Sequence, residues 1–133
     1  MFGFFKRNAW SSENVERVYA TLAAQARNPS LYTTYGVPDT MDGRLEMLLL
    51  HLFVVLNWFK DDKDERVRQA MRDLCDLFFT EMDRAMRESG VGDLAVPKRI
   101  NKVAQLYAAR MTAYDEADRT GTLSRALAEI IFG

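Results

Sequence analysis

Cysteine and histidine are almost absent from this chain of 133 residues: Cys75 and His51 are the single examples of each. One cysteine excludes an internal disulfide and a metal site built from several thiolates. One histidine excludes every metal or catalytic site that needs a second histidine. The alternative for His51, an axial haem ligand, has no accompanying second-ligand pattern, so we predict a hydrogen-bonded core histidine and neither a metal nor a cofactor.

The chain also lacks a long hydrophobic run. Its longest apolar stretch, residues 47–56, is broken only by His51 and reaches about half of the roughly 20 residues that a membrane-spanning helix needs. At the N-terminus the apolar residues precede the basic ones, which is the reverse of a secretory signal. We therefore expect a cytoplasmic protein, with peripheral attachment to the inner membrane as the alternative location.

Net charge is almost absent as well. Eighteen basic and nineteen acidic residues give a formal charge of -1, so the molecule as a whole does not attract nucleic acid. No groove-reading motif is present, and we expect no specific DNA binding. The acidic residues form no recognisable acid–base pair, and Gly90 and Gly92 lack the third glycine and the preceding strand of a dinucleotide-binding loop. The sequence thus predicts a protein that is not an enzyme.

Helical periodicity is what the sequence does contain, and no segment alternates as a strand would. Val67, Met71, Leu74 and Phe78 recur at the spacing of one helix face, and Ile100, Val103, Ala104, Tyr107, Met111 and Tyr114 do the same further along. We predict an all-α fold, a compact single-domain bundle of about five to six helices. Residues 1–10 are predicted to form an aromatic and basic N-terminal segment, and residues 11–133 the helical domain.

Cap residues predict where these helices begin and end. Ser11 or Ser12 can cap the first helix, and Asn28 followed by Pro29 opens a short second one. A long helix is expected from Asp39 or Thr40 to about Phe59, with its buried stripe formed by Leu45, Leu48, Leu49, Leu52, Leu56 and Phe59. Further helices are expected to end at Ser89–Gly90, to open at Pro97, and to follow a Thr122 cap after the break at Thr120–Gly121.

Two ordered stretches carry a recognisable pattern, one from Ala26 to His51 and the other from Phe78 to Lys98. The first contains Ala26-Arg27-Asn28-Pro29, Leu31-Tyr32, Gly36-Val37-Pro38-Asp39-Thr40, Asp42-Gly43-Arg44 and Leu50-His51. The second contains Phe78-Phe79, Met82-Asp83, Met86-Arg87-Glu88 and Gly90-Val91-Gly92-Asp93-Leu94-Ala95-Val96-Pro97-Lys98. Over roughly residues 15–120 the chain resembles the ubiquinol–cytochrome c chaperone family of mitochondria and alphaproteobacteria.

The resemblance implies a non-enzymatic chaperone that binds newly made cytochrome b during assembly of ubiquinol–cytochrome c reductase, a respiratory-chain complex. In mitochondria, members of this family work with a small helical partner protein and lie near the ribosome exit site, so both are expected partners. The chain has no long N-terminal extension of the organelle-targeting kind, which favours an alphaproteobacterial member.

The client-binding or partner-binding residues are expected in the two patterned loops and the basic segment after them. They are Arg27, Asn28, Tyr32, Asp39, Arg44, Asp83, Arg87, Asp93, Lys98, Arg99 and Lys102. Arg87 is expected to bond Asp83 and to reach carbonyls around Gly92, and Asp83 to reach Arg27 or Arg44. The basic strip could contact a phosphate-bearing or acidic surface, or it could be a solvated face balanced by the acidic residues 61–65.

A second function stays open from the residues alone: a peripheral membrane-binding adaptor that uses the basic strip and the aromatic N-terminus to contact an anionic membrane. Its candidate membrane contacts are Phe2, Phe4, Phe5, Lys6, Arg7 and Trp10. The apolar residues that fall off the main helical stripes, Phe53, Val54, Trp58 and Phe79, suggest either a hydrophobic binding surface or a fully enclosed central helix.

Overall fold

The computed structural model describes residues 10–133, and every regular element within that range is an α-helix. The six helices are α1 (Ser12–Ala26), α2 (Pro29–Thr33), α3 (Met41–Phe59), α4 (Glu65–Glu88), α5 (Val96–Thr120) and α6 (Leu123–Phe132). The predicted all-α class is confirmed. The N-terminal segment predicted for residues 1–10 falls, apart from Trp10, outside the described residues and stays a prediction.

The helix ends follow the cap residues closely. Ser11 Oγ accepts a hydrogen bond from the Asn14 amide at the start of α1, and Asn28 Oδ1 accepts one from the Ser30 amide at the start of α2. Asp64 caps α4 through the Arg66 amide. Thr122 is the exception, because it makes no side-chain cap bond to α6. Its hydroxyl lies 2.9 Å from the hydroxyl of Thr120 instead.

The described chain forms two compact units, and α1, α3 and α5 each contribute residues to both. The first unit contains the described residues up to Ala20 together with Trp58–Gln105. Its core is formed around the apolar face of α4, which is the face that the helical spacing of the apolar residues predicts. The buried side chains of this unit are Val15, Val67, Ala70, Leu74, Phe78, Val96 and Val103.

The second unit contains Thr21–Asn57 and Leu106–Gly133. Leu49 and Leu52 of the predicted stripe on α3 are fully buried, and Met47 and Phe53, which lie outside that stripe, are buried too. The Phe53 ring lies 5.4 Å from the ring of Tyr114 on α5. A nearly all-apolar helix such as α3 therefore packs on more than one side within this unit.

A bidentate ion pair joins α3 to α5 in the same unit. Arg110 Nη2 lies 2.7 Å from Glu46 Oε1, and Arg110 Nε lies 2.8 Å from Glu46 Oε2. The two side chains are only 24% and 13% exposed, and hydrogen bonding to Glu46 raises the pKa of Arg110. Such fork-shaped pairing fixes the orientation of both groups as well as their charge.

No helix among residues 10–133 is both long enough and apolar enough to cross a bilayer. The most apolar helix, α3, has 19 residues but includes Arg44 and Glu46, which make polar contacts within the second unit.

Candidate functional site

An open cavity of about 330 Å³ lies in the second unit, where the chain passes from α1 through α2 to α3. Its lining residues are Arg27, Pro29, Tyr32, Thr33, Asp39 and Arg44. We call it the arginine cavity. Four of the predicted site residues thus come together here, and a fifth, Asn28, holds the turn between them through its bonds to Ser30.

The walls of the arginine cavity are positioned by local hydrogen bonds. The Tyr32 hydroxyl donates to the carbonyl of Ala26, the last residue of α1, at 2.8 Å. This bond draws α2 back against the end of α1 and satisfies one of the carbonyls that a helix end leaves free. Burial raises the pKa of Tyr32, with Arg44 acting to lower it and Asp39 to raise it. Tyr32 is therefore a neutral hydrogen-bond donor at neutral pH.

The charges of the arginine cavity do not cancel. Arg44 Nε lies 2.8 Å from Asp39 Oδ1, and both side chains are 58% exposed. No carboxylate among residues 10–133 pairs with Arg27, which is exposed. With two arginines and one aspartate lining it, the arginine cavity has a formal charge of +1 carried by Arg27, which suits a carboxylate or another anion.

Two large apolar side chains close in sequence to Asp39 are exposed to solvent. Tyr35 is 68% exposed and lies in the connection from α2 to α3 that also supplies Asp39, and Met41, the first residue of α3, is 80% exposed. We call the arginine cavity together with Tyr35 and Met41 the cavity surface. Neither residue was among the predicted site residues, because the sequence does not distinguish an exposed tyrosine or methionine near a helix start from one that folds back onto the core.

In the first unit, Arg87 joins α4 to the loop that follows it. Arg87 Nε lies 2.7 Å from Asp83 Oδ1, and Arg87 Nη1 lies 2.6 Å from Asp93 Oδ1. The hydrogen bond to Asp83, together with the charges of both aspartates, raises the pKa of Arg87. The predicted pairing with Asp83 is present, but the loop is held through the side chain of Asp93 rather than through carbonyls around Gly92.

The expected link from Asp83 to Arg27 or Arg44 would join residues of the two different units, and it stays a prediction. Asp83 pairs with Arg87 and Arg44 pairs with Asp39. In each case the partner lies within five residues along the chain, so the pair forms at little cost in chain entropy. Asp83, Arg87 and Asp93 therefore form a local cluster with a formal charge of -1, and their predicted role in client binding stays a prediction.

Lys98, Arg99 and Lys102 are exposed on the first two turns of α5, and none of them pairs with a carboxylate among the described residues. Two of the acidic residues that could have balanced them pair elsewhere: Glu65 contacts Arg68 and Arg72. Asp64 bonds Arg66, and this hydrogen bond raises the pKa of Arg66. Within residues 10–133 the predicted basic strip is thus a surface of three cations that lack a carboxylate partner.

Leu94, one turn before Lys98, is 98% exposed and is the most exposed large hydrophobic residue among residues 10–133. It was not among the predicted site residues, because a single leucine in a short connection between two helices gives no periodic signal. We call Leu94, Lys98, Arg99 and Lys102 together the basic surface.

Of the predicted membrane contacts, only Trp10 lies within the described residues. Its ring packs edge-on against Phe59, with the ring centroids 4.9 Å apart, in the first unit. The ring is half-buried. Phe2, Phe4, Phe5, Lys6 and Arg7 lie outside the described residues, and their membrane contact stays a prediction.

The off-stripe hydrophobic residues divide into buried and exposed ones. Phe53 is buried and Phe79 half-buried, whereas Val54 is 56% and Trp58 is 82% exposed. The prediction of a fully enclosed α3 is therefore wrong, and part of its apolar surface faces solvent.

His51 makes a hydrogen bond within its own helix, with Nδ1 2.7 Å from the Met47 carbonyl oxygen. Because a carbonyl can only accept, Nδ1 carries the hydrogen. The predicted hydrogen bond is confirmed, but the side chain is half-buried and His51 is therefore not the core residue that we predicted. Among residues 10–133, no three potential ligands of the His, Cys, Asp and Glu types are grouped to hold a metal ion.

Similarity to known proteins covers most of the chain. The family model described as "Ubiquinol-cytochrome C chaperone" matches residues 33–133. The crystal structure of the Cbp3 homolog from Brucella abortus matches with a TM-score of 0.76 and 36% sequence identity, covering 98% of this chain and 74% of that one. No curated protein sequence matches significantly. The matched region contains the cavity surface from Thr33 onwards and the whole of the basic surface.

Proposed function

The chain belongs to the ubiquinol–cytochrome c chaperone family, and from this premise we propose that it binds newly made cytochrome b while ubiquinol–cytochrome c reductase is assembled. Membership implies a chaperone or assembly factor rather than an enzyme. The finer statement, that the client is cytochrome b, is supported by the family and by the chemistry of the cavity surface.

The cavity surface is the observation that carries the proposal. A membrane protein exposes apolar segments and their flanking charges until it is inserted, so its chaperone needs apolar contacts beside a selective charge. Tyr35 and Met41 offer 68% and 80% exposed apolar side chains. Arg27, unpaired among the described residues, offers a cation to a carboxylate of the client.

The strength of this contact suits a transient complex. Fully burying Tyr35 and Met41 would contribute roughly 3–6 kcal/mol in total. Association itself costs about 4–15 kcal/mol in lost motion, so the cavity surface alone binds weakly and a longer client segment must contribute. Such binding requires no nucleotide: the client leaves when its apolar residues find lipid or a partner subunit.

Site-specific crosslinking in cells that are making cytochrome b tests the proposal. With p-benzoylphenylalanine in place of Tyr35 or Met41, we expect crosslinks to newly labelled cytochrome b. In the matched control the same probe replaces Val54, which is 56% exposed in the same unit and lies ten residues, about 15 Å of helix, beyond Arg44 on α3. Equal capture from Val54, or no capture from Tyr35 and Met41, would contradict the proposal.

A charge variant tests the role of Arg27 in the same assay. We expect R27E to lower capture about fivefold or more, because it replaces an unpaired cation by an anion that repels the client carboxylate. R125E is the control, since Arg125 is exposed in the same unit and has no carboxylate partner among the residues that the structure describes. If both variants lower capture equally, net charge and not the arginine cavity determines binding.

The alternative function is a membrane adaptor that uses the basic strip and the aromatic N-terminus together, and of these two features only the basic strip is exposed among the described residues. Its one described aromatic contact, Trp10, already packs against Phe59. We therefore favour the chaperone function over the adaptor.

A further inference from the structure

The basic surface places an aliphatic side chain in line with two lysines. The Val96 amide donates to the Gly92 carbonyl at 3.2 Å, and the Arg99 amide donates to the Ala95 carbonyl at 3.1 Å. The chain therefore turns helically from Gly92, before α5 formally begins. Leu94, Lys98 and Lys102 follow one another at intervals of four residues, which puts them on one side of this helical path.

The side of the helix that carries these residues is free of acidic groups. From Leu94 the next acidic residue along the chain is Asp115, and Lys98, Arg99 and Lys102 have no carboxylate partner among residues 10–133. The one adjacent acid, Asp93, lies 2.6 Å from Arg87. The basic surface thus keeps a local charge of +3 although the whole chain has a net charge of -1.

We propose that the basic surface docks the protein on an anionic phospholipid bilayer, with Leu94 inserted at the boundary between headgroups and acyl chains. Lys98, Arg99 and Lys102 would then contact lipid phosphates, each increasing the affinity about fivefold. Insertion of Leu94 adds roughly tenfold or more, because its almost fully exposed side chain leaves water. A few such contacts give weak, reversible binding, far from the stability of a membrane-spanning helix.

The exposed leucine favours a bilayer over RNA as the occupant. Both present phosphates to the three cations, but single-stranded RNA is held by stacking its bases on aromatic rings. The basic surface contains no ring, and burying Leu94 against a phosphate backbone gains nothing. At a membrane surface, anionic headgroups lie above apolar acyl chains. The three cations can therefore contact the headgroups while the Leu94 side chain reaches the acyl chains.

Vesicle flotation of the full chain tests this docking. We expect binding to phosphatidylcholine vesicles that contain phosphatidylglycerol, little binding without it, and weaker binding at high salt. L94S should lower the affinity about tenfold, whereas V54S, which changes an aliphatic residue that is 56% exposed elsewhere, should leave it unchanged. Circular dichroism checks that each variant is folded.

A matched pair of charge variants separates the basic surface from net charge. K98Q/R99Q/K102Q should lower the affinity by about a hundredfold, the product of three fivefold effects. R17Q/R119Q/R125Q removes the same number of charges elsewhere and should have a small effect. Equal losses in the two triple variants would overturn the proposal, as would lost binding to an RNA oligonucleotide with unchanged vesicle binding.

The N-terminal aromatic residues require their own variant, F2S/F4S/F5S. If this variant abolishes vesicle binding while L94S leaves it intact, the docking site lies in residues 1–10 and the proposal is wrong. The proposal is independent of the client: L94S should leave cytochrome b crosslinking from Tyr35 unchanged. Failure of docking and failure of client binding are therefore told apart by different measurements.

Discussion

Tyr114 is a buried residue whose hydroxyl group is energetically unfavourable in its surroundings. Its side chain is fully buried in the second unit, and its hydroxyl has no hydrogen-bond partner among the described residues. Burial, reinforced by the charge of Glu46 and opposed by that of Arg110, raises its pKa to about 12. The aromatic ring therefore contributes packing, while the hydroxyl group costs desolvation energy that no partner offsets.

A pH-dependent stability follows from this pKa. Unfolded tyrosine ionises near pH 10, so above that pH the unfolded chain releases its proton while folded Tyr114 keeps it. Its contribution is complete below pH 10 and is lost as pH rises towards about 12, a loss of about 2–3 kcal/mol. Urea titrations from pH 7 to beyond pH 11 should show this decline in the wild type and a smaller one in Y114F.

At neutral pH the same variant should be as stable as the wild type or about 1 kcal/mol more stable, because it removes only an unpartnered hydroxyl. Y35F, at a tyrosine that is 68% exposed, is the control and should change neither the stability nor its pH dependence. An identical alkaline decline in Y114F and the wild type would show that folding does not raise the pKa of Tyr114.

The start of α3 is packed tightly against the backbone that precedes it. A Cβ placed on Gly43 would overlap the carbonyl oxygen of Pro38 and come within 3.0 Å of the Pro38 carbonyl carbon. This close approach brings the extended Val37–Pro38 segment against the first turn of α3, in the second unit. The obstacle is backbone rather than a flexible side chain, so α3 or the segment before it must shift to admit any larger residue.

We expect G43A to lower the free energy of unfolding by about 1–3 kcal/mol, because this overlap outweighs the better helix propensity of alanine. G92A is the matched control: a Cβ there meets nothing within 4 Å and the backbone needs no positive φ. It should be neutral or slightly stabilising. Urea denaturation measures both variants, and equal effects would contradict the close packing of α3 against Pro38.

At the scale of the whole molecule, the two compact units are connected by continuous helices. The chain enters the second unit within α1, leaves it within α3 and re-enters it within α5. Helix formation is cooperative, so a helix cannot be stably half-formed at a unit boundary without losing hydrogen bonds on both sides. The molecule is therefore expected to unfold in one step.

Both tryptophans, Trp10 and Trp58, belong to the first unit, whereas far-UV circular dichroism reports the helices of both. We expect the two signals to give the same urea midpoint. G43A, a destabilising change in the second unit, should lower the tryptophan midpoint and the dichroism midpoint equally. Separate midpoints would mean that each unit unfolds independently and that the helices shared by both units lose their hydrogen bonds at the unit boundary.

The helical class and most helix ends follow from local sequence, because caps and breakers act on residues that are neighbours in the chain. Asn28 before Pro29 and the break at Gly121 needed no tertiary information. Which apolar residues face solvent depends instead on how the helices pack. Leu94 and Phe53 are both hydrophobic, yet one is 98% and the other 5% exposed, since burial depends on elements distant in sequence.

The same distinction applies to the charges. Arg87 with Asp83 was predictable from a spacing of four residues on one helix. The pair of Glu46 and Arg110, separated by 64 residues, was not. Nor could the sequence show that the cations of the basic surface have no carboxylate partner among residues 10–133. Local spacing limits which pairs can form within an element. Only the packing of helices far apart in the chain determines which charges are paired and which remain free for a client or a membrane.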